Sequence, residues 1–179
     1  KGKVLGEVTL PDGIEYIGKK AFDGCVALSS VNVPESVTSI GEKAFRNCKN
    51  LDYIELHDGI EQISNKAFLG CKELLSIGDI SGVTELGDSV FSGCESLKEI
   101  VIPEAITVIS KGMFKDSGFE SIKFEGDLES IGKGAFKGCD NLRNIDLSDA
   151  DFADLDKDIF RDCEMLETIT LPSMLKEIP

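Results

Sequence analysis

Apolar positions recur along this chain in a fixed order that restarts every 22 to 24 residues. Phe22, Phe45, Phe68, Phe91, Phe114, Phe136 and Phe160 mark seven copies. A rhythm of that length predicts a solenoid whose coils stack and share one core. Eight residues before each Phe stand Ile14, Val37, Ile60, Val83, Ile106, Leu128 and Phe152, and five before it stand Ile17, Ile40, Ile63, Leu86, Ile109, Ile131 and Leu155. Behind it come Leu28, Leu51, Leu74, Leu97, Phe119, Leu142 and Leu166, then Val31, Ile54, Ile77, Ile100, Ile122, Ile145 and Ile169. The missing residue of the fifth copy falls between Ser117 and Phe119, and the extra residue of the seventh between Leu147 and Phe152, both at turns.

Two kinds of element follow from the pattern within a copy. The run from Leu51 through Ile54 to Leu56 alternates apolar and polar residues, which predicts one short strand per copy with a single buried face. Proline follows it at Pro11, Pro34, Pro103 and Pro172, where a fixed φ and a missing donor suit an exit turn. Four residues before each Phe stand Gly18, Gly41, Ser64, Gly87, Ser110, Gly132 and Asp156, all suited to cap a helix N-terminus. Two after it stand Gly24, Asn47, Gly70, Gly93, Asp116, Gly138 and Asp162, which tolerate the left-handed conformation that ends one. The expected fold is therefore an α/β repeat solenoid, with a short β-strand and one short helical turn per repeat of about 23 residues. Asp79 breaks the last apolar column of the strand, and the adjacent Ile80 predicts a bulge or a one-residue register change there.

The copies run on without a linker, so a single domain over 1–179 is expected, with seven full repeats and a partial repeat at each end. Leu5, Val8 and Leu10 close one partial copy, and Leu171–Pro179 open the other. Neither end carries the polar cap a solenoid needs, so a portion of a longer protein is expected. No apolar run is long enough for a signal peptide or a membrane-spanning helix.

Charge narrows the partners. Nineteen basic and 33 acidic residues give a formal net charge of −14. Nucleic acid and anionic membrane surfaces are poor partners for such a surface, since phosphate binding draws on clustered Lys and Arg. The acidity itself keeps a repeat rod soluble.

Six cysteines, Cys25, Cys48, Cys71, Cys94, Cys139 and Cys163, occupy one repeat column that Ser117 interrupts. A column of residues pointing the same way into a core reads as buried thiols acting as small hydrophobes, not as a disulfide framework. No CxxC or Cys/His pair at zinc spacing is present, so no metal or cofactor is expected. The acidic stretch Ser148–Asp158 lacks the Gly and Glu an EF-hand requires, with Ile159 and Met165 in those places, and reads as a solvated loop. Gly87-Asp88-Ser89 and the glycines of Gly132–Gly138 look like hydrolase and phosphate-loop motifs. Both coincide with repeat positions instead, with Gly134 alone incidental. His57 is the only histidine and occupies a slot that other copies fill with Pro, so general acid–base chemistry has no partner residue and no enzyme is expected.

With its columns written out, LPxxIxxIGxxAFxxCxxLxxVxV as in Leu10–Val33, the chain resembles the BspA-like leucine-rich repeat family from Leu5 to Ile178. The resemblance implies a right-handed coil on secreted or surface proteins of host-associated bacteria, some of them adhesins for host matrix or plasma proteins. It carries no catalytic motif. It implies an extracellular or cell-surface location and a protein or glycan ligand. Outward strand positions would form the ligand face. Its one aromatic, Tyr53, together with Asp52, Glu55, Glu7, Asn32 and Glu99, makes the candidate site, since interface hot spots favour tyrosine. A ligand-free structural spacer is the other reading of the same face.

Overall fold

The structure is a computed structural model that describes residues 6–178. Leu5 and Pro179, assigned above to the partial copies, lie outside the described residues. In chain order the strands are β1 (Glu7–Thr9), β2 (Tyr16–Ile17), β3 (Ser30–Asn32), β4 (Ser39–Ile40), β5 (Tyr53–Leu56), β6 (Gln62–Ile63) and β7 (Ser76–Gly78). They continue with β8 (Glu85–Leu86), β9 (Glu99–Ile102), β10 (Val108–Ile109), β11 (Ser121–Phe124), β12 (Ser130–Ile131), β13 (Asn144–Asp146) and β14 (Thr168–Thr170). Stacked coils of this kind make a β-solenoid of about seven turns.

Each predicted strand forms, and most pair in parallel with the same residues one repeat on: Glu7 with Ser30, Ser30 with Tyr53, Asn32 with Glu55. Val31, Ile54, Ile77, Ile100 and Ile145 point inward and are buried, while the alternate residues face solvent. This ladder is not continuous. It comprises β1-β3-β5-β7, then β9-β11, then β13-β14. The first interruption follows the register shift between β5 and β7, where Leu56 pairs with Gly78, one residue early. Asp79 is thereby turned out to solvent and Ile80 is buried in its stead. Gly78 has φ +76° and lies so close to β5 that a Cβ would sit 2.4 Å from the Leu56 carbonyl oxygen, so glycine alone fits.

A second ladder of two-residue strands, β2-β4-β6-β8 and β10-β12, runs along another side of the coils. Sequence reading expected one strand per copy. With one buried residue per strand, such as Ile17, Ile40 or Ile63, the alternation is too short to register.

The expected helical turn is absent, and the described residues contain no helix. Between Gly41 and Cys48 the backbone alternates two kinds of hydrogen bond. The N–H groups of Lys43, Phe45 and Asn47 donate to Asn65, Ala67 and Leu69 of the next coil, while those of Ala44, Arg46 and Cys48 donate three residues back. Half the donors are thus spent on the neighbouring coil, and no i to i−4 helical ladder forms. The path is a run of tight turns with a left-handed residue two before each Phe: Lys20, Lys43, Lys66, Ser89, Gly112, Gly134 and Asp158, at φ 54° to 64°. Gly134 is therefore not incidental. The second left-handed position, at Gly24, Asn47, Gly70, Gly93, Asp116, Gly138 and Asp162, is where sequence placed it.

One hydrophobic core runs through the coils. Along it the Phe rings stack face to face with centroids 5.3–5.4 Å apart, except on either side of Phe91, where the spacing widens to 6.0 and 6.2 Å.

Candidate functional site

Outward residues of the first ladder form a flat polar face. Glu7, Asn32, Asp52, Tyr53 and Glu55 are all exposed on or beside β1, β3 and β5. Register brings Tyr53 between Ser30 and Ser76, and Glu55 beside Asn32. Tyr53 keeps 47% of its surface in solvent. Partial desolvation, and after it the Glu55 carboxylate, raise its hydroxyl pKa above the ordinary value, so the ring presents a neutral O–H beside an acid. Glu99 lies elsewhere, on β9, across the break in the ladder.

That break is a groove of about 710 Å³ between β7 and β9, bordered by Leu75, Gly78, Asp79, Glu99 and Val101. Alternation along the strand places Val101, 45% exposed, among the outward positions, but sequence reading missed Leu75 as a surface feature, although it is 65% exposed. The signal was present: Leu75 follows the core residue Leu74 where other copies carry Ser29, Asp52 or Lys98.

At the end of the strands, Asn32, Glu35, Glu55, His57, Asp58 and Asp79 surround a shallow hollow. Among the described residues, Glu35, His57 and Asp58 bring potential ligand atoms within 4.8 Å of one another. His57 is nevertheless committed elsewhere. Its Nδ1 faces the Gly59 N–H at 3.2 Å and a Glu35 carboxylate oxygen at 3.4 Å, and Nε2 lies 3.1 Å from the Pro34 carbonyl oxygen, which the tautomer with its proton on Nε2 satisfies. Neither ring nitrogen offers a free lone pair, so the imidazole ties the turn to the preceding coil.

The cysteine column contains no disulfide: all six thiols are free. They are more than small hydrophobes. Cys48, Cys71, Cys94, Cys139 and Cys163 each donate to the carbonyl of the Phe one coil back, at 3.0–3.3 Å. Burial pushes the thiols of Cys48, Cys94 and Cys139 up to about 12, which keeps them protonated and unreactive. Ser89, in the hydrolase-like triplet, has its hydroxyl directed at the Lys111 carbonyl of the next coil. In the acidic stretch Phe152 is buried and Leu155 half-buried, as the repeat requires.

Among the described residues no helix is long and apolar enough to cross a membrane. No curated protein matches the sequence. A leucine-rich repeat protein of Treponema pallidum is similar in structure, with 31% identity, a TM-score of 0.63, and 96% of this chain aligned to 72% of that one. A leucine-rich cell surface protein of Faecalibacterium prausnitzii shares the fold at 20% identity and TM-score 0.57, over 97% of this chain and 83% of that one. Residues 1–119 and 107–179 match the BspA type leucine rich repeat region in six copies, and the chain belongs to that family.

Proposed function

We propose that this chain is a non-catalytic binding module, a single domain displayed outside a bacterial cell, that holds a protein or glycan ligand on its first strand face. The observation that carries the reading is the exposed patch of Tyr53, Asp52 and Glu55, flanked by Glu7 and Asn32 on the same unbroken four-stranded ladder. None of these side chains has a core role, and a rigid, half-exposed tyrosine loses little entropy on binding. Glu99 would contribute from the far rim of the groove. That the Faecalibacterium protein is a cell surface protein supports surface display, and host matrix or plasma proteins are the ligand class that the resemblance implies. The acidic surface, with a net charge of −14, favours basic ligand patches.

The test is saturable binding to a panel of purified matrix and plasma proteins and glycans. A Tyr53→Ala, Glu55→Ala variant with unchanged melting temperature should bind at least tenfold more weakly. Capture that survives the double substitution moves the site off Tyr53. If no member of the panel is captured, a spacer role for the coils takes the place of the binding reading.

A further inference from the structure

The first break in the strand ladder, between β7 and β9, is wedge-shaped. On the turn side the two coils remain bonded: the N–H groups of Lys66, Phe68 and Gly70 reach Asp88, Val90 and Ser92 at 2.8–3.1 Å. Towards the strands the contact opens. Ser96 still donates to Lys72 at 3.0 Å, but β7 ends one sheet and β9 ends the next, with no ladder between them. The cause of the opening is local. The early pairing of Gly78 with Leu56 draws β7 against β5 and away from β9.

Two parallel strand edges therefore face each other across the groove, each lacking the partner that a sheet interior supplies. Such edges recruit another main chain, because an extended backbone alone offers donors and acceptors to both sides at once. On the floor are Ile77 and Ile100, both nearly buried, and at the rim are Leu75 and Val101. Charged groups on the lining are Asp79, Glu99 and Glu125 against Lys123 alone. An occupant strand would set alternate side chains inward onto isoleucine and outward among carboxylates.

We infer that this groove binds an extended peptide segment as an inserted strand, parallel to β7 and β9, with apolar side chains facing in and basic side chains facing out. The inference rests on the binding-module reading of the chain but not on the Tyr53 patch, since neither Tyr53 nor Glu55 lines the groove. A partner protein would contribute such a segment from a terminus or a loop, and the solenoid would regain a continuous ladder from β5 to β11.

The probe is a fluorescein-labelled pentapeptide, acetyl-Lys-Val-Lys-Val-Lys-amide, titrated into the whole chain and followed by anisotropy. Saturable one-to-one binding is expected, with slowed amide exchange in Ser76–Gly78 and Glu99–Ile102. Methylating the backbone nitrogens of the two valines leaves charge and side chains in place and should weaken binding at least tenfold. A Asp79→Lys, Glu99→Lys variant, both positions being on the surface, should weaken it similarly while melting normally. Equal binding of the methylated peptide shows attraction to an acidic surface only and overturns the inserted strand, as does protection confined to residues outside the groove. If the peptide fails to bind while protein capture through Tyr53 persists, the groove is wrong and the binding module stands. The reverse result removes the Tyr53 patch and leaves the groove. Association of the chain with itself that the peptide cannot displace would make a second copy the occupant and overturn the proposal.

Discussion

The thiol of Cys71 donates to the carbonyl oxygen of Phe45 on the preceding coil, 3.1 Å away, in a fully buried site. The same carbonyl accepts the Cys48 N–H, so the carbonyls of Phe22, Phe45, Phe68, Phe114 and Phe136 each join their own turn to the coil that follows. Ser117 shows what a shorter donor does. Its hydroxyl turns back to the Phe114 carbonyl of its own coil and lies 3.6 Å from the sulfur of Cys139. Cys71→Ala should therefore cost about 1–3 kcal/mol, from a small cavity and one lost inter-coil bond. Cys71→Ser should recover none of it. Urea midpoints at constant m would show this, and a neutral alanine variant would mean that the thiol only fills space.

The raised thiol values carry a pH dependence. In Cys48, Cys94 and Cys139 the folded pKa lies at about 12 against an ordinary 9.0. A raised folded value favours the protonated form, so this stabilisation is complete below pH 9 and is lost as pH rises towards 12. Where all three thiols ionise in the unfolded chain alone, stability should fall by about 4 kcal/mol per pH unit at the steepest. A thiol-specific disulfide reagent at pH 8 should label Cys25 and Cys163, the half-buried ends of the column, well before the other four. Uniform labelling of the six in native protein would contradict the buried column.

Substitution at the left-handed position separates a run of turns from a helix by the sign of its effect. Lys66 has φ 61°, which costs a side-chain-bearing residue roughly 1 kcal/mol, so Lys66→Gly should stabilise the chain by up to that amount. In an α-helix the same change would destabilise by about 1 kcal/mol. Gly134→Ala is the converse. Its Cβ would meet Lys137 at 3.7 Å without a clash, so the expected loss of about 1 kcal/mol is backbone strain alone. Thermal or chemical denaturation of the two variants reads both signs.

These turns also show where sequence was legible and where it was not. The columns of Phe, Leu and Ile fixed the coil, the strand register and the buried face, because each coil buries the same atoms against the next. Asp79 and Ile80 betrayed the register change in the same way. Helix and turn, however, share the same endpoints: a small capping residue, an inward Ala-Phe pair and a left-handed exit. What separates them is whether Phe45 N–H bonds within its own coil or to Ala67 of the next, and that is decided by stacking. Lys20, Lys43 and Lys66 gave no warning, since lysine is rare at positive φ. Of the candidate residues, alternation placed Glu7, Asn32, Tyr53 and Glu55 on one face. It could not reveal that Glu99 lies beyond a break, because the break is a consequence of Gly78 pressing on Leu56.

His57 provides the last prediction. Its carbonyl accepts the Ile60 N–H at 3.1 Å, as Pro34 does from Val37 and Pro103 from Ile106, so the backbone of this turn is already that of a proline. His57→Pro would lose the ring's bonds to Pro34 and Gly59, worth about 0.5–1.5 kcal/mol each. It would also restrict the unfolded chain, a gain of about 0.4–1 kcal/mol. The net cost should stay near 1 kcal/mol and the turn should survive. Because both ring nitrogens are engaged, zinc in tenfold excess should leave the melting temperature of the parent chain unchanged, despite the nearby carboxylates of Glu35 and Asp58. A rise of several degrees that His57→Pro abolishes would mean the ring releases Gly59 to take a metal, and the imidazole would then be a ligand, not a tie between coils.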